Sequence, residues 1–224
     1  MKKVAVFDLD KTLFDGVSMS TFLFGYLIPN RKISGILLVK AILLVLGYSS
    51  KVIPHNRASE MTMKLSAEVL KGKRVSEVEQ WQNNFFSKQH FFEYVPQLIS
   101  LLKKHNYTIV VVSASLDPIV QACAQVLGVT AVGSTLEVDG GVYTGTIDRL
   151  VNQADKVTEV EKFKSNDSKL LVFGDSSGDI AMLKEADEAF VFEPSEKDVI
   201  RTAQKTGMHI VDRKTILSAV TKVL

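Results

Sequence analysis

Four short runs of apolar, largely β-branched or aromatic residues constrain this chain more than any other feature. They are Val4–Phe7, Tyr107–Val112, Leu170–Phe173 and Ala189–Phe192. Each run is continuous where a half-exposed strand would alternate, so a strand built from it must be covered on both faces. Helical stretches fall between and beyond them, roughly at 97–105, 118–127, 153–165, 178–186 and 196–206. Two of these open with capping chemistry. Asp117 reads as an N-cap before Pro118, and Pro194-Ser195 with Asp198 reads as a second helix start. Continuous strands alternating with helices imply an α/β fold around a parallel sheet.

The spacing is uneven. About 100 residues separate the first run from the second, too many for one crossover helix. A helical module over roughly 15–90 is therefore expected as an insertion. It contains a nearly unbroken apolar run, Ile33–Gly47, then a Lys-rich amphipathic stretch at 57–71 and the segment VSEVEQWQNNFF at 75–86. After the second strand, Thr135–Val138 and Val142–Thr146 flank Asp139-Gly140-Gly141, which predicts a β-hairpin. A last helix at 213–223 is assigned to packing only.

The 224 residues carry 27 Lys and Arg against 25 Asp and Glu, a net charge of +2, too balanced for a protein that coats nucleic acid. The single cysteine, Cys123, excludes a disulfide framework and a multi-cysteine zinc site, and reads as a small buried apolar residue. Asp8 and Asp10 interrupt any signal-peptide core, so a cytoplasmic location is the expectation. The run Ile33–Gly47 leaves two readings open. At fifteen residues it is shorter than the ~20 that a spanning helix needs. It is either a buried helix or, with the apolar Phe22–Pro29 upstream and Arg31, Lys32 and Lys51 at its flanks, a segment over residues 22–47 that makes peripheral contact with a membrane.

Four segments carry chemistry. Asp8-Leu9-Asp10-Lys11-Thr12 follows the first strand, and residues two apart point the same way if strand geometry persists. Two carboxylates at the carboxyl end of a parallel strand form a hard-oxygen corner suited to Mg²⁺, at the edge where open α/β sheets bind ligands. A carboxylate there can also attack phosphorus; the plainer reading is a solvated turn with capping aspartates. Gly174-Asp175-Ser176-Ser177-Gly178-Asp179 follows the third strand, and the four-residue spacing lets Asp175 and Asp179 face one point. Ser113, at the exit of the second strand, offers a hydroxyl for a phosphate oxygen or simply caps the next helix. Lys156 lies near a helix start, where a cation is unfavourable unless an anion is close; its plainer reading is a surface lysine. Together the four supply a nucleophile, a metal corner, a hydroxyl and a cation, the parts that phosphoryl transfer needs.

In these four segments the sequence resembles the haloacid-dehalogenase superfamily of hydrolases. Asp8-x-Asp10-x-Thr12 looks like its first motif, the strand ending in Ser113 its second, Lys156 its third and Gly174-Asp175-x-x-x-Asp179 its fourth. The match in order and spacing covers about residues 3–192. The long insert, and the hairpin segment STLEVDGGVYTGTI with Gly145, are similar to the phosphoserine-phosphatase-like branch, subfamily IB. The resemblance implies a doubly wound, mainly parallel sheet. Residues 1–14 and 91–224 would form the catalytic core, 15–90 a helical cap. It also implies a phosphatase for a small phosphorylated substrate. Asp8 would attack phosphorus and form an aspartyl-phosphate. Asp10 would protonate the leaving oxygen and then activate water. Mg²⁺ would be held by Asp8, the Asp10 carbonyl, Asp175 and Asp179. Ser113 and Lys156 would hold the phosphoryl oxygens, and Thr12 would fix the loop.

One departure concerns the substrate. Phosphoserine phosphatases carry a glutamate nine residues after the nucleophile, and here that place is taken by Val17. Asp15 is the only acid nearby; Arg57 and Lys64 offer charges for a substrate carboxylate or second phosphate, or are ordinary surface groups. A looser similarity, through the apolar run, links the chain to bacterial family members that act on phosphatidylglycerophosphate. A phosphotransferase would be told apart by transfer to added alcohols. A non-catalytic binding protein on the same scaffold would be expected to lack one of Asp8, Asp10, Ser113, Lys156, Asp175 or Asp179, and all are present. A response-regulator receiver lacks the long insert. Trp81, Phe85, Phe86, Phe91 and Phe92 read as packing, and His55, His90, His105 and His209 show no metal-ligand spacing.

Overall fold

A computed structural model describes residues 2–50, 52–53, 55–165 and 167–224; Lys51, the downstream basic flank, lies outside them. The chain opens with β1 (Lys2–Phe7), then α1 (Ser18–Phe22), a π-helical turn over Leu23–Leu27, α2 (Gly35–Ser49), α3 (His55–Leu70) and α4 (Val75–Phe85). It continues through α5 (Val95–Lys104), β2 (Thr108–Leu116), α6 (Asp117–Leu127), β3 (Thr130–Asp139) and β4 (Val142–Arg149). The last part holds α7 (Gln153–Glu161), β5 (Ser168–Gly174), α8 (Ile180–Leu183), β6 (Glu188–Phe192), α9 (Lys197–Thr206), β7 (His209–Val211) and α10 (Ile216–Val223).

The strands form one sheet in the order β4-β3-β2-β1-β5-β6-β7. All neighbours are parallel except β3 and β4. The N-terminal strand is thus central, and its unbroken apolar run is explained by the pleat. Ala5 and Phe7 point into a core shared with Leu98 of α5, Cys123 of α6 and Val220 of α10. Val4 and Val6 point the other way, toward Val160 of α7, Met182 of α8 and Val199 of α9. Three neighbouring strands also stack aromatic rings: Phe173 lies 4.1 Å from Phe7 and 4.7 Å from Phe190, nearly parallel to both.

The chain winds outward from β1 to β2 and β3, then returns to the other side of β1 for β5, β6 and β7. The reversal leaves a crevice at the carboxyl ends of β1 and its neighbours, where doubly wound sheets place ligands. The predicted hairpin is present, but β3 starts earlier and runs parallel to β2 from Thr130 to Ser134, with a register shift after Val132, before pairing with β4. Gly140 and Gly141 make its turn with φ of +54° and +80°, conformations that side chains resist. The hairpin tip grips the link between α3 and α4. Val75 N–H donates to the Gly141 carbonyl at 3.0 Å and Tyr143 N–H to the Lys73 carbonyl at 3.0 Å.

Some expectations shift. Asp117 is the first residue of α6 and Leu116 its N-cap; the Asp117 carboxylate turns outward to accept from Gly133 N–H at 3.2 Å. The start near Pro194-Ser195 has Glu196 as its N-cap. The expected helix at 178–186 shortens to α8, because Asp179 closes the turn before it. The edge strand β7 is too short to read from sequence. Cys123 is buried, and burial holds its thiol well above the usual range. The apolar run is not a buried helix: α2 packs along α3, buries Ala41 and Leu44, half-buries Leu37 and Leu38, and leaves Ile36, Val39, Ile42, Leu43, Val45 and Leu46 exposed. Among the described residues no helix is long and apolar enough to cross a membrane.

The stacked rings make Phe173 the joint of the sheet's centre. Replacing it with alanine is expected to cost about 3–5 kcal/mol in equilibrium urea unfolding, measured against the parent chain.

Candidate active site

The geometry of the site follows from register. Phe7 of β1 pairs with Phe173 of β5, and Asp8 N–H donates to the Phe173 carbonyl at 2.9 Å. The first residues past both strands, Asp8 and Asp175, therefore emerge side by side at one sheet edge. Asp179 folds back to join them. Its Oδ2 accepts from the N–H groups of Asp175 at 3.2 Å and Ser176 at 3.1 Å, and from Ser176 Oγ at 2.9 Å. Gly174 is required beneath this turn, since a Cβ there would lie 2.5 Å from Asp179 Cβ. Asp8, Asp175 and Asp179 each offer a carboxylate oxygen within 4.8 Å of the others.

Lys156 enters from the first turn of α7, whose N-cap Asn152 accepts from the N–H groups of Ala154 and Asp155 at 2.8 and 3.2 Å. The ammonium donates to Asp8 Oδ1 at 2.6 Å and to Asp179 Oδ1 at 2.7 Å, and all three side chains are buried. These two carboxylates explain a cation at the positive end of a helix.

One ammonium faces three carboxylates, and the electrostatics reflect the imbalance. Burial raises Asp8 well above the usual carboxylate range; Lys156 opposes this, while Asp179 and Asp175 add to it. Burial and the neighbouring Asp179 raise Asp175 to about 7. Burial would also raise Asp179, but the Lys156 charge and the bonds from Lys156 and Ser176 hold it below its ordinary value. Lys156 stays charged: burial works against the ammonium, and the carboxylates of Asp179 and Asp8 outweigh it. Two clustered carboxylates thus lack a compensating charge. Hard oxygen donors with surplus negative charge are the donor set that Mg²⁺ takes, so the residues fit that ion.

Asp10 is placed otherwise than strand spacing suggested. β1 ends at Phe7, so Asp10 lies beyond the strand whose alternation would have aligned it with Asp8. Its carboxylate stands outside the three-carboxylate cluster. Oδ1 accepts from Ser18 N–H at 2.7 Å and Oδ2 from Ser115 Oγ at 2.7 Å. Ser115 N–H in turn donates to Ser113 Oγ at 3.1 Å, so Ser113, Ser115 and Asp10 form one linked group at the exit of β2. The sequence reading missed Ser115 as a partner of Asp10 and Ser176 as a partner of Asp179; a serine two residues past Ser113 and another inside the Gly-Asp turn were the available signals. Thr12 does not fix the loop through its hydroxyl, which has no partner, but through its carbonyl, which accepts from the Tyr94 hydroxyl. Lys64 is engaged on the surface of α3 with Glu60 at 2.6 Å. Trp81, Phe86, Phe91 and Phe92 are buried in the core.

The arrangement is a hard-oxygen centre beside a fixed cation, at the crevice of a doubly wound sheet. The chain belongs to the haloacid dehalogenase-like hydrolases: the model of that family matches residues 5–184, a span that holds every residue of the cluster. No curated protein matches it in sequence. Several crystal structures share its fold. A protein of unknown function from Bordetella pertussis Tohama I superposes with a TM-score of 0.80 at 18% identity, covering 95% of this chain and 99% of that one. A phosphoserine phosphatase carrying an analogue of its phospho-aspartyl intermediate gives 0.65 at 21% identity, over 97% and 98% of the two chains. A phosphoserine phosphohydrolase-like protein from Francisella tularensis gives 0.64 at 13% identity over the whole of both.

A raised carboxylate binds its proton in the folded state at pH values where the unfolded chain, with a carboxylate near pKa ~3.9, has lost it. Asp175 therefore lowers the stability of the metal-free protein progressively as pH rises from about 4 to about 7. Asp175→Asn removes that slope, so its melting temperature relative to the parent is expected to rise across this window in calorimetry with EDTA. Gly174→Ala is expected to cost about 1–3 kcal/mol by forcing the Asp179 turn outward, measured by the same scan.

Proposed function

We propose that this hydrolase is a Mg²⁺-dependent phosphomonoesterase acting on a small phosphorylated metabolite through an aspartyl-phosphate at Asp8. The observation that carries the reading is the buried cluster of Asp8, Asp175 and Asp179 around Lys156. In this reading residues 1–14 and 91–224 form the catalytic core and the helices of 15–90 a cap. The phosphoserine phosphatases of the same fold, one of them with a phospho-aspartyl analogue, support the same chemistry.

Lys156 orients one Asp8 oxygen, leaving the other to attack phosphorus as the bond to the leaving oxygen breaks. Asp10 gives its proton to that oxygen, then takes one from the water that attacks the acyl phosphate. The Asp8–phosphorus bond breaks, inorganic phosphate leaves, and both aspartates return to their starting states. Ser115 suits this exchange, because a hydroxyl can donate to an ionised Asp10 and accept from a protonated one. Ser113 and Lys156 hold the phosphoryl oxygens as charge develops. Mg²⁺, bound by Asp8, Asp175 and Asp179 with the Asp10 carbonyl, would neutralise the phosphoryl charge. Phosphoserine itself is disfavoured, since Val17 occupies the place that would meet the substrate ammonium. The exposed apolar face of α2 favours a lipid-borne phosphoester as the second reading.

Phosphate release measured over phosphoserine, sugar phosphates, nucleoside monophosphates and a phosphatidylglycerophosphate-type lipid in micelles tests this. Activity is expected to require Mg²⁺, to vanish with EDTA, and to fall about 10³-fold or more in Asp8→Asn. A fully active Asp8→Asn protein would sink the mechanism.

A further inference from the structure

From Ile36 to Leu46 every residue of α2 except Lys40 is apolar, yet α2 buries only Ala41 and Leu44. Ile36 is 74% exposed, Leu43 61% and Leu46 60%, spaced so that they line one stripe of the helix. Val39 and Ile42 widen that stripe, and Phe24, in the π-helical turn upstream, is also exposed. A contiguous apolar face of this kind marks an interaction surface.

The charge around it is one-sided. Between Gly16 and Ser59 the sequence has five of the chain's 27 cations (Arg31, Lys32, Lys40, Lys51 and Arg57) and none of its 25 carboxylates. Lys40 is neutralised by Glu68 of α3 at 2.8 Å, and Lys32 lies over the Trp81 ring. Arg31, just before α2, and Arg57, in the first turn of α3, are exposed, and Glu60, the acid near Arg57, is itself paired with Lys64. Cations therefore bracket an aliphatic stripe at both ends.

We propose that this face of α2 docks the protein on an anionic lipid surface. With fifteen residues α2 is about 22 Å long, less than the ~30 Å hydrocarbon core, so it lies along a bilayer and does not span it. The apolar stripe enters the acyl boundary while the flanking cations meet anionic head groups. A second copy of this chain fits the face poorly, because an isologous contact would set the same acid-free, cationic segment against itself. A folded protein partner fits it less well than lipid, since the stripe has no side-chain hydrogen-bonding group to read apart from the paired Lys40. The proposal stands whether or not the phosphatase reading holds.

Sedimentation with vesicles of phosphatidylglycerol in phosphatidylcholine, against phosphatidylcholine alone, tests it. The parent protein is expected to bind the anionic vesicles preferentially and to lose binding as salt is raised. The triple variant Ile36→Ser, Leu43→Ser, Leu46→Ser is expected to bind at least about tenfold more weakly, with an unchanged melting temperature. The double variant Arg31→Glu, Arg57→Glu leaves the stripe intact and is also expected to lose about tenfold, which keeps the test open should the triple variant fail to fold. Absence of binding to either vesicle, or equal binding to both that the arginine variant leaves unchanged, would overturn the proposal. So would a dimer in gel filtration that the triple variant dissolves while the parent ignores vesicles, which would assign the face to a second copy.

Discussion

The rest of the site depends on a single ammonium group. Lys156 joins Asp8, 148 residues away in sequence, to Asp179, 23 residues away. It holds Asp179 below its ordinary value and opposes the rise that burial imposes on Asp8, and removing it would leave buried carboxylates uncompensated. The ammonium can reach both because β1 and β5 are neighbours in register and α7 begins beneath their carboxyl ends. The fold is thus a device for delivering three chain segments to one point. The surplus of two carboxylates then makes the point a donor set that fits a cation.

Much of this was legible in the sequence. Continuous apolar runs identify strands covered on both faces, and acids placed directly after two such runs must emerge at one edge. Lys156 was legible for a different reason: a lysine at a helix start asks for anions, and two are present. Asp10 was not legible in the same way. Its surroundings depend on where β1 stops, which the sequence does not mark, and on Ser115, 105 residues away. The strand ends at Phe7, before the alternation that would have paired Asp10 with Asp8 is reached. Local pattern reports what a residue can do; only the course of the chain reports what it meets.

The same division holds outside the site. The apolar character of Ile33–Gly47 was plain, but an all-apolar helix carries no periodicity to say which stripe is covered. Packing against α3 decides it, and α3 covers one stripe only. The short strand β7 was lost for want of length, since three residues hold too little pattern, and α8, expected over 178–186, was drawn too long because its start is set by the turn at Asp179.

Asp10 also joins the helices that lie between β1 and β2 to the sheet. One carboxylate oxygen is held from the first helix of the insert, by Ser18 N–H, and the other from the end of β2, by Ser115. A rigid displacement of the insert away from the sheet would remove one of these bonds and leave the other. The hairpin opposes such displacement, since its turn and β4 bond to the link between α3 and α4 while β3, paired with β4, is also paired with β2. The group proposed to trade a proton is thus held from two sides, by Ser18 of α1 and Ser115 of β2, and the hairpin ties those two sides together.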